Sequence, residues 1–246
     1  HPDVLKMILK MESLTQASRA ICYDNAIAID LAQNHSDKKI REKYQLKADL
    51  LTPISKSWAT DVGVEVSSLG IQVHGGMGFI EDTGAAQYYR DSRILPIYEG
   101  TNGIQALDLL KRKLPMDGGK TFEKLLDRIK KTANECKKSE LKEILTMGNL
   151  LEDAIASLEK SAIWLIEELG RHPDNAAAGA TPFLNMFGWI LGGWIMCNSS
   201  LTIFQNISSK ELGEKFANEK INTSLFFCTT YLPTASSLIS TIMNSH

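Results

Sequence analysis

The chain has 246 residues and 43% apolar content, which is enough for one large domain or two modest ones and excludes a disordered tail or a disulfide-stapled miniprotein. Its formal net charge is only −2. Because no basic field covers the chain, we expect no nucleic-acid partner and look instead to small molecules and protein surfaces.

The four cysteines lie far apart in the sequence, at Cys22, Cys136, Cys197 and Cys228. No pair has Cys-x-x-Cys spacing, so we predict neither a metal site nor a disulfide framework. Small, buried thiols in a reducing compartment are the favoured interpretation, and we expect a cytoplasmic protein.

Two long helices are predicted at the start of the chain. Apolar residues from Val4 onward recur every three to four positions, which predicts one helix over about 30 residues. Asp37 can cap a second helix that runs towards Ser68, and Pro53 should kink or break it. These two helices should lie antiparallel.

A glycine-rich segment follows, with Gly70, Gly75, Gly76 and Gly78 inside nine residues. Glycines at this density should prevent a stable helix interior and allow close approach of a ligand to the backbone. A plain tight turn between helices is the alternative. His74, beside the glycines, is interpreted as a hydrogen-bonded neighbour and is not selected for catalysis.

A short helix is predicted over residues 83–90, followed by a non-helical stretch that ends at Gly100 and a helix capped by Thr101 or Asn102. Glu99 is a lone carboxylate in this otherwise apolar stretch. A desolvated carboxylate of this kind can act as a general base. A glutamate placed only to favour the start of the next helix is the blander explanation.

Turn-forming residues from Leu114 to Gly119 predict a domain boundary, with domains over residues 1–114 and 115–246. Further helices should follow, including long ones over about Pro182–Ser208 and Lys210–Tyr231 and a last one introduced by Pro233. No sustained period-two pattern is present, so the fold class is all-α.

The stretch from Asn175 to Ser209 contains no charged residue and is long enough to span a bilayer. Interspersed polar residues and the absence of a flanking Lys/Arg cluster argue against a membrane span. Gly188 and Gly192 have the spacing of closely packed helices. We therefore predict a buried central helix or subunit contact, and regard membrane association as the weaker alternative.

Three ordered motifs carry a family resemblance. They are Ile71-Gln72-Val73-His74-Gly75-Gly76-Met77-Gly78-Phe79, Tyr89-Arg90-Asp91-Ser92-Arg93-Ile94 and Ile97-Tyr98-Glu99-Gly100-Thr101-Asn102-Gly103-Ile104-Gln105. Together they resemble the C-terminal helical domain of the acyl-CoA dehydrogenase family. Residues 121–236 are similar, less specifically, to the helical domain appended in long-form bacterial members.

The resemblance implies roles around the thioester of an acyl-CoA substrate. Glu99 matches the catalytic base that takes the proton α to the carbonyl, while a hydride leaves the β-carbon for flavin N5. The role would require an apolar pocket around Glu99. The backbone N–H of Glu99 matches a donor to the thioester carbonyl, and Tyr98 and Gly100 match residues that shape the pocket.

The resemblance also implies an FAD cofactor. Gln72, Gly75 and Gly76 match a loop that reaches the adenosine-diphosphate part of FAD on a neighbouring subunit, and Thr101 matches a further FAD contact near a helix start. The expected partners are therefore an acyl-CoA, an electron-transfer flavoprotein and further copies of the chain in a homo-oligomer.

Some features depart from the family. Gly103 stands where Gln is common in short-chain members, and the family's N-terminal helical domain and middle β-domain are not part of this chain, which opens on His1. We therefore expect a C-terminal piece of a longer enzyme, inactive alone. The alternatives are a catalytically silent helical assembly module and a peripheral membrane anchor.

Overall fold

The computed structural model describes residues 1–206 and 213–244, and every regular element in that part of the chain is helical. The predicted all-α class is thus confirmed. Nine α-helices are described: α1 (Pro2–Asn34), α2 (Lys38–His74), α3 (Gly76–Phe79), α4 (Ala85–Ser92), α5 (Asn102–Asp108), α6 (Lys120–Lys137), α7 (Lys142–Arg171), α8 (Pro173–Asn206) and α9 (Glu214–Met243).

Helices α1 and α2 pack along each other as an antiparallel pair. The Asp37 side chain accepts a 2.8 Å hydrogen bond from the backbone N–H of Lys39, so the predicted cap is confirmed. Pro53 was expected either to kink or to break the second helix, and α2 continues through Pro53 without a break. Pro53 is buried in the core, and the packing around it outweighs the lost backbone hydrogen bond.

The glycine segment is more helical than expected. Helix α2 extends past Ser68 to His74, so Gly70 lies inside it, and Gly76 and Gly78 belong to the short α3. The prediction that these glycines prevent a helix interior is wrong, because a helical glycine costs only about 1 kcal/mol and tertiary contacts override it. The left-handed φ of +62° at Gly75 marks the turn itself.

The second half contains fewer and longer helices than the prolines suggested. Helix α8 begins at Pro173, so Pro182 lies within it and not at its start. Pro233 likewise lies inside α9 and does not begin a separate helix. The predicted boundaries at Ser208 and Lys210 fall outside the described residues.

Helix α8 forms the centre of the packing, as predicted for the uncharged stretch. A Cβ on Gly188 would lie 2.3 Å from Trp58 Cγ of α2, and a Cβ on Gly192 would lie 2.5 Å from Phe227 Cζ of α9. Both glycines therefore allow side chains of neighbouring helices to reach the α8 backbone. One hydrophobic core runs through α1, α2 and α5–α9, and the domain boundary near residue 114 stays a prediction.

Two described helices, α8 and α9, are long and apolar enough to cross a membrane by length and composition. Buried residues make up 67% of the apolar window in α8 and 33% of that in α9. Core helices satisfy the same criteria, so this finding is weak evidence for a membrane span. The burial of α8 favours a core helix.

Three of the distant cysteines meet inside the bundle. Cys136, Cys197 and Cys228 are buried, and Cys22 is half-buried; all four are free thiols. The hydrogen bond of Cys136 with Cys197, together with burial, raises the pKa of the Cys136 thiol. Within the described residues, no group of three or more His, Cys, Asp or Glu side chains is placed to hold a metal ion.

Candidate functional site

The segment between α4 and α5 makes a sharp turn at Glu99 and Gly100. The Tyr98 N–H donates to the carbonyl oxygen of Ile94 at 3.1 Å, and the Asn102 N–H donates across the turn to the carbonyl oxygen of Pro96 at 3.0 Å. Between these bonds the backbone reverses direction. It enters α5 at Thr101, whose side chain makes no capping hydrogen bond.

Glu99 adopts a backbone conformation that non-glycine residues rarely take. Its φ is +55°, and the next residue, Gly100, has φ +86°. Left-handed backbone costs a non-glycine residue about 1–2 kcal/mol. Such strain persists only where surrounding contacts over-determine it, and it concentrates at functional sites.

The contacts that hold this turn come from the middle of α2. The ammonium group of Lys56 donates to the Gly100 carbonyl oxygen at 2.7 Å and to Asn102 Oδ1 at 2.9 Å. Charge-assisted hydrogen bonds of this kind are stronger than neutral ones. Lys56 thus fixes the peptide that directly follows Glu99 and Gly100.

Asn102 extends the network along α2. Its amide nitrogen donates to the carbonyl oxygen of Ser57 at 3.1 Å and to Asp61 Oδ1 at 2.8 Å. Burial raises the pKa of the Asp61 carboxyl, although the hydrogen bond from Asn102 and the charge of Lys56 oppose that shift. The start of α5 is therefore fastened to α2 by polar side chains.

The turn presents backbone donors that the protein leaves free. In the described part of the chain, the N–H groups of Glu99, Gly100 and Thr101 donate to no protein acceptor. Consecutive free N–H groups at a left-handed turn and a helix start form a concave donor surface for anionic or carbonyl oxygens.

The apolar pocket expected around Glu99 is not formed by the described residues. Glu99 is exposed, and the neighbouring Tyr98 is 45% exposed. The carboxylate therefore faces solvent in this chain. Any enclosure of this carboxylate has to come from atoms other than the described residues.

The other predicted site residues lie at the C-terminal end of α2. Gln72, Gly75 and Gly76 are exposed, and a Cβ on either glycine would meet no atom within 4 Å. Gly78 differs, because its Cβ would lie 2.3 Å from the carbonyl oxygen of Ile71. Two glycines thus leave open backbone, and Gly78 serves the packing of α3 on α2.

His74 fits the role of a hydrogen-bonded neighbour. Its Nδ1 lies 2.7 Å from the carbonyl oxygen of Gly70, within α2. The ring is thereby engaged by its own helix.

The structure does not bring the two groups of site residues together. Lys56 holds the Glu99 turn, whereas Gln72 lies 16 residues further along α2. At 1.5 Å per residue this corresponds to about 24 Å. One chain therefore holds the predicted site residues in two separate places, the Glu99 turn and the glycine turn, which we call the candidate half-sites.

An apolar surface surrounds both half-sites. Phe79 is 79% exposed and Tyr88 is 76% exposed. Further exposed apolar side chains on the same segments are Met77, Ile80, Ile94, Ile97 and Ile104. Exposed apolar residues clustered in this way are typical of surfaces that contact another protein surface or ligand.

Sequence reasoning missed Lys56 and the role of Asn102 beyond capping. The two residues are 46 positions apart, and the sequence offers no local pattern that connects them. Lys56 lies on α2 opposite a turn whose carbonyl groups need hydrogen-bond donors. This placement identifies Lys56, and it depends on the fold.

Comparisons with known proteins identify the family. Residues 1–114 match the family model described as "Acyl-CoA dehydrogenase, C-terminal domain". Residues 125–246 match the model described as "Acetyl-CoA dehydrogenase C-terminal like". Between them the two models account for nearly the whole chain.

The chain is similar to 3-methylmercaptopropionyl-CoA dehydrogenase of Ruegeria pomeroyi, with 40% identity over 227 residues. This match covers 92% of the chain but 38% of the relative. The chain thus spans less than two-fifths of the length of that relative.

Two solved structures share the fold. The Caenorhabditis elegans ACDH-11 structure in complex with C11-CoA superposes with a TM-score of 0.72 at 21% identity, covering 92% of this chain and 36% of that one. An acyl-CoA dehydrogenase from Bacillus anthracis complexed with FAD gives a TM-score of 0.72 at 17% identity, covering 97% of this chain and 42% of that one. The chain belongs to the acyl-CoA dehydrogenase family, and two C-terminal models of that family match it.

Proposed function

We propose that this chain supplies the catalytic base and part of the cofactor site of an FAD-dependent acyl-CoA dehydrogenase. The reaction is the α,β-dehydrogenation of an acyl-CoA thioester. The observation that carries the proposal is the Glu99 turn, where a carboxylate on strained backbone stands beside free N–H groups and is held from α2 by Lys56.

Glu99 takes the α-proton in this proposal. A carboxylate is a suitable base once substrate and the rest of the enzyme remove it from water, because a desolvated carboxylate accepts a proton more readily than a hydrated one. Its exposure in this chain leaves the carboxylate accessible to a thioester. Tyr98 and Gly100 line the same turn and shape the space around the substrate.

The free backbone N–H of Glu99 is the proposed donor to the thioester carbonyl oxygen. Negative charge develops on that oxygen as the α-proton leaves, so a fixed donor there stabilises the transition state more than the ground state. Because Lys56 holds the Gly100 carbonyl, this donor is positioned before substrate arrives.

The residues present fit an FAD cofactor shared between subunits. Gly75 and Gly76 leave open backbone that a diphosphate can approach, and Gln72 beside them offers an amide. The free N–H of Thr101 at the start of α5 is the second proposed contact. When bound, FAD supplies the acceptor for the hydride that leaves the β-carbon of the substrate.

The separation of the half-sites supports a homo-oligomer. About 24 Å of α2 lies between the glycine turn and the Glu99 turn, so we propose that the glycine turn of one subunit contacts the FAD whose flavin lies beside Glu99 of another. The exposed Phe79 and Tyr88 would then be covered. An electron-transfer flavoprotein is the proposed electron acceptor and the cytoplasm the proposed location.

The assembly-module and membrane-anchor alternatives find less support. Both depend on the uncharged stretch, and α8 is occupied by contacts within its own chain. Neither alternative explains the strained conformation of Glu99.

The test is Glu99→Gln in the full-length enzyme that carries this sequence, assayed with an artificial electron acceptor and a panel of acyl-CoAs. We expect turnover to fall about 10²- to 10⁴-fold, the usual contribution of a positioned base, with flavin content unchanged. Glu81→Gln is the control, since Glu81 is exposed and pairs with Arg90. Undiminished turnover of Glu99→Gln would show the proposal wrong.

A further inference from the structure

A pocket lies between the first turns of α2 and the first turns of α6, and none of its lining residues belongs to either half-site. Its volume is about 300 Å³. It is lined by Lys39, Glu42, Lys43, Leu46, Lys47, Leu50, Leu51, Thr121, Lys124, Leu125 and Arg128. We call it the α2–α6 pocket.

The floor of the α2–α6 pocket is made of leucine side chains. Leu50 and Leu51 are 1% and 2% exposed, and Leu125 of α6 is 6% exposed. Leu46 is half-buried and forms one wall. The base of the pocket is therefore apolar and belongs to the packed core.

The rim is strongly cationic. Five of the lining residues are Lys or Arg and one is Glu, in a chain that has 27 basic and 29 acidic residues in all. On α2, Lys39, Lys43 and Lys47 follow each other at helical spacing, and therefore share one face with Leu50. The near-even mixture of basic and acidic residues in the whole chain would not give five cations and one anion around a single pocket.

Most of these cations have no acidic partner. Lys47 pairs with Asp24 at 2.6 Å, whereas Lys39, Lys43 and Lys124 form no ion pair within the described part of the chain. Arg128 stacks over the Trp194 ring, 5.2 Å from its centroid. The pocket thus concentrates uncompensated positive charge, which an anion would relieve.

Two acidic groups near the pocket, Glu42 and Asp117, are engaged elsewhere. Glu42 lies 3.7 Å from Lys38, which is outside the pocket. The carboxylate of Asp117 accepts hydrogen bonds from the N–H and the hydroxyl of Thr121, at 3.1 and 2.9 Å. Lys43, Lys124 and Arg128 are thus left without an acidic partner in the described part of the chain, although Lys43 lies over the Tyr44 ring and Arg128 over the Trp194 ring.

We propose that the α2–α6 pocket binds the anion of a single-chain fatty acid. The carboxylate fits the Lys and Arg heads, since guanidinium and ammonium groups make charge-assisted hydrogen bonds to carboxylates. The alkyl chain fits the leucine floor, where it gains from leaving water. The volume lies at the small end of ligand pockets, about 300–1,000 Å³, and therefore suits one short chain better than a two-chain lipid. The proposal is independent of the proposed function.

The test titrates decanoate into the full-length protein that carries this sequence and measures its affinity by calorimetry. Decanol has the chain without the charge, and acetate has the charge without the chain. We expect decanoate to bind at least tenfold more tightly than either compound. Decyl phosphate is the fourth probe and distinguishes a phosphate head from a carboxylate head.

Two variants locate the binding. Lys43→Glu combined with Lys124→Glu reverses two rim charges and should weaken decanoate binding at least tenfold. Lys215→Glu is the matched control, because Lys215 is exposed on α9 and lies far along the chain from the pocket residues; it should change the affinity less than twofold. Circular dichroism checks that each variant is folded. If the variant with Lys43→Glu and Lys124→Glu loses helix, the variant with Lys43→Gln and Lys124→Gln takes its place.

Four results would overturn the proposal. If decanol bound as tightly as decanoate, the pocket would be only an apolar surface. If acetate bound as tightly as decanoate, the pocket would be only an anion site. Tenfold tighter binding of decyl phosphate would assign a phosphate ligand. An unchanged affinity in the folded double variant would place the decanoate elsewhere on the protein.

Discussion

The ammonium group of Lys56 donates a hydrogen bond to the carbonyl oxygen of Gly100, 2.7 Å away. This contact joins the middle of α2 to a turn 44 residues later, where Glu99 is held at a φ of +55°. A single cation therefore connects the helix pair at the start of the chain to the proposed catalytic base.

The first prediction concerns this contact. In the full-length enzyme, Lys56→Met should lower kcat about 10- to 100-fold, because a hydrogen bond to a charged group contributes about 1.5–3 kcal/mol and each 1.4 kcal/mol is a factor of ten. Lys56→Arg should retain more activity than Lys56→Met, since it keeps donors at this position. Steady-state kinetics, flavin content and thermal melting are measured together.

The matched control is Lys10→Met. Lys10 pairs with Glu65 at 2.5 Å between the same two long helices, but it does not contact the turn. If both methionine variants lower kcat equally, or if Lys56→Met lowers only the melting temperature, Lys56 has no positioning role.

The local features of the fold could be predicted from the sequence. The spacing of apolar residues from Val4 onward predicts α1, and Asp37 marks the start of α2 because a cap depends only on neighbouring residues. The close packing at Gly188 and Gly192 was also predictable, since small residues four apart present one smooth helix face.

Features set by distant residues could not be predicted. Pro53, Pro182 and Pro233 all lie inside helices, although a proline in a helix interior costs about 3 kcal/mol. The local sequence pattern shows this cost but not the contacts with distant helices that stabilise α2, α8 and α9 as wholes. The contact of Lys56 with Gly100 depends on how α2 lies against the turn. No spacing rule within one segment contains that information.

The candidate site was partly predictable. Its residues were found through motif resemblance, which does not reveal that Glu99 has a left-handed backbone or that it is exposed in this chain. The motif implies an enclosed carboxylate, and only the three-dimensional structure reveals that the described residues do not enclose it.

The second prediction concerns flavin. The 246-residue chain expressed alone should be helical and free of flavin, because Gln72 and Thr101 belong to separate half-sites and neither encloses a cofactor. Absorption in the flavin bands of the purified chain is the measurement, with the full-length enzyme as the positive control. One flavin per purified chain would contradict the division into half-sites.

The third prediction concerns thiol reactivity. Burial raises the pKa of the half-buried Cys22 thiol, so less thiolate is present at neutral pH than for a free cysteine. Alkylation of Cys22 in the folded chain should therefore be slow at neutral pH and accelerate as the pH rises beyond the ordinary thiol range. Cys136, Cys197 and Cys228 should react only after unfolding, because all three are buried.

Mass spectrometry of iodoacetamide-treated protein counts the modified thiols. Cys22→Ser is the control, and it should abolish labelling of the folded chain. Labelling of Cys197 at the rate of Cys22 would show that the bundle opens around its buried thiols.

The last prediction concerns the centre of the bundle. Gly192→Leu should destabilise the purified chain by about 1–3 kcal/mol, because an added side chain meets Phe227 Cζ at 2.5 Å and Ala17 Cβ at 3.4 Å. A chain of this size loses about 2–4 °C of melting temperature per kcal/mol. Gly63→Ala is the control, since a Cβ there meets no atom within 4 Å, and it should stabilise α2 by about 0.5–1 kcal/mol.

Liposome sedimentation distinguishes the buried helix from a membrane anchor. If α8 is a core helix, it does not enter the lipid. The wild-type chain should then stay in the supernatant, and Gly192→Leu should change only the melting temperature. Because the Phe227 ring lies against the Gly192 backbone, α8 cannot leave the bundle without losing that contact. If the wild type sedimented with liposomes and Gly192→Leu melted at the wild-type temperature, α8 would be a membrane anchor and not a core helix.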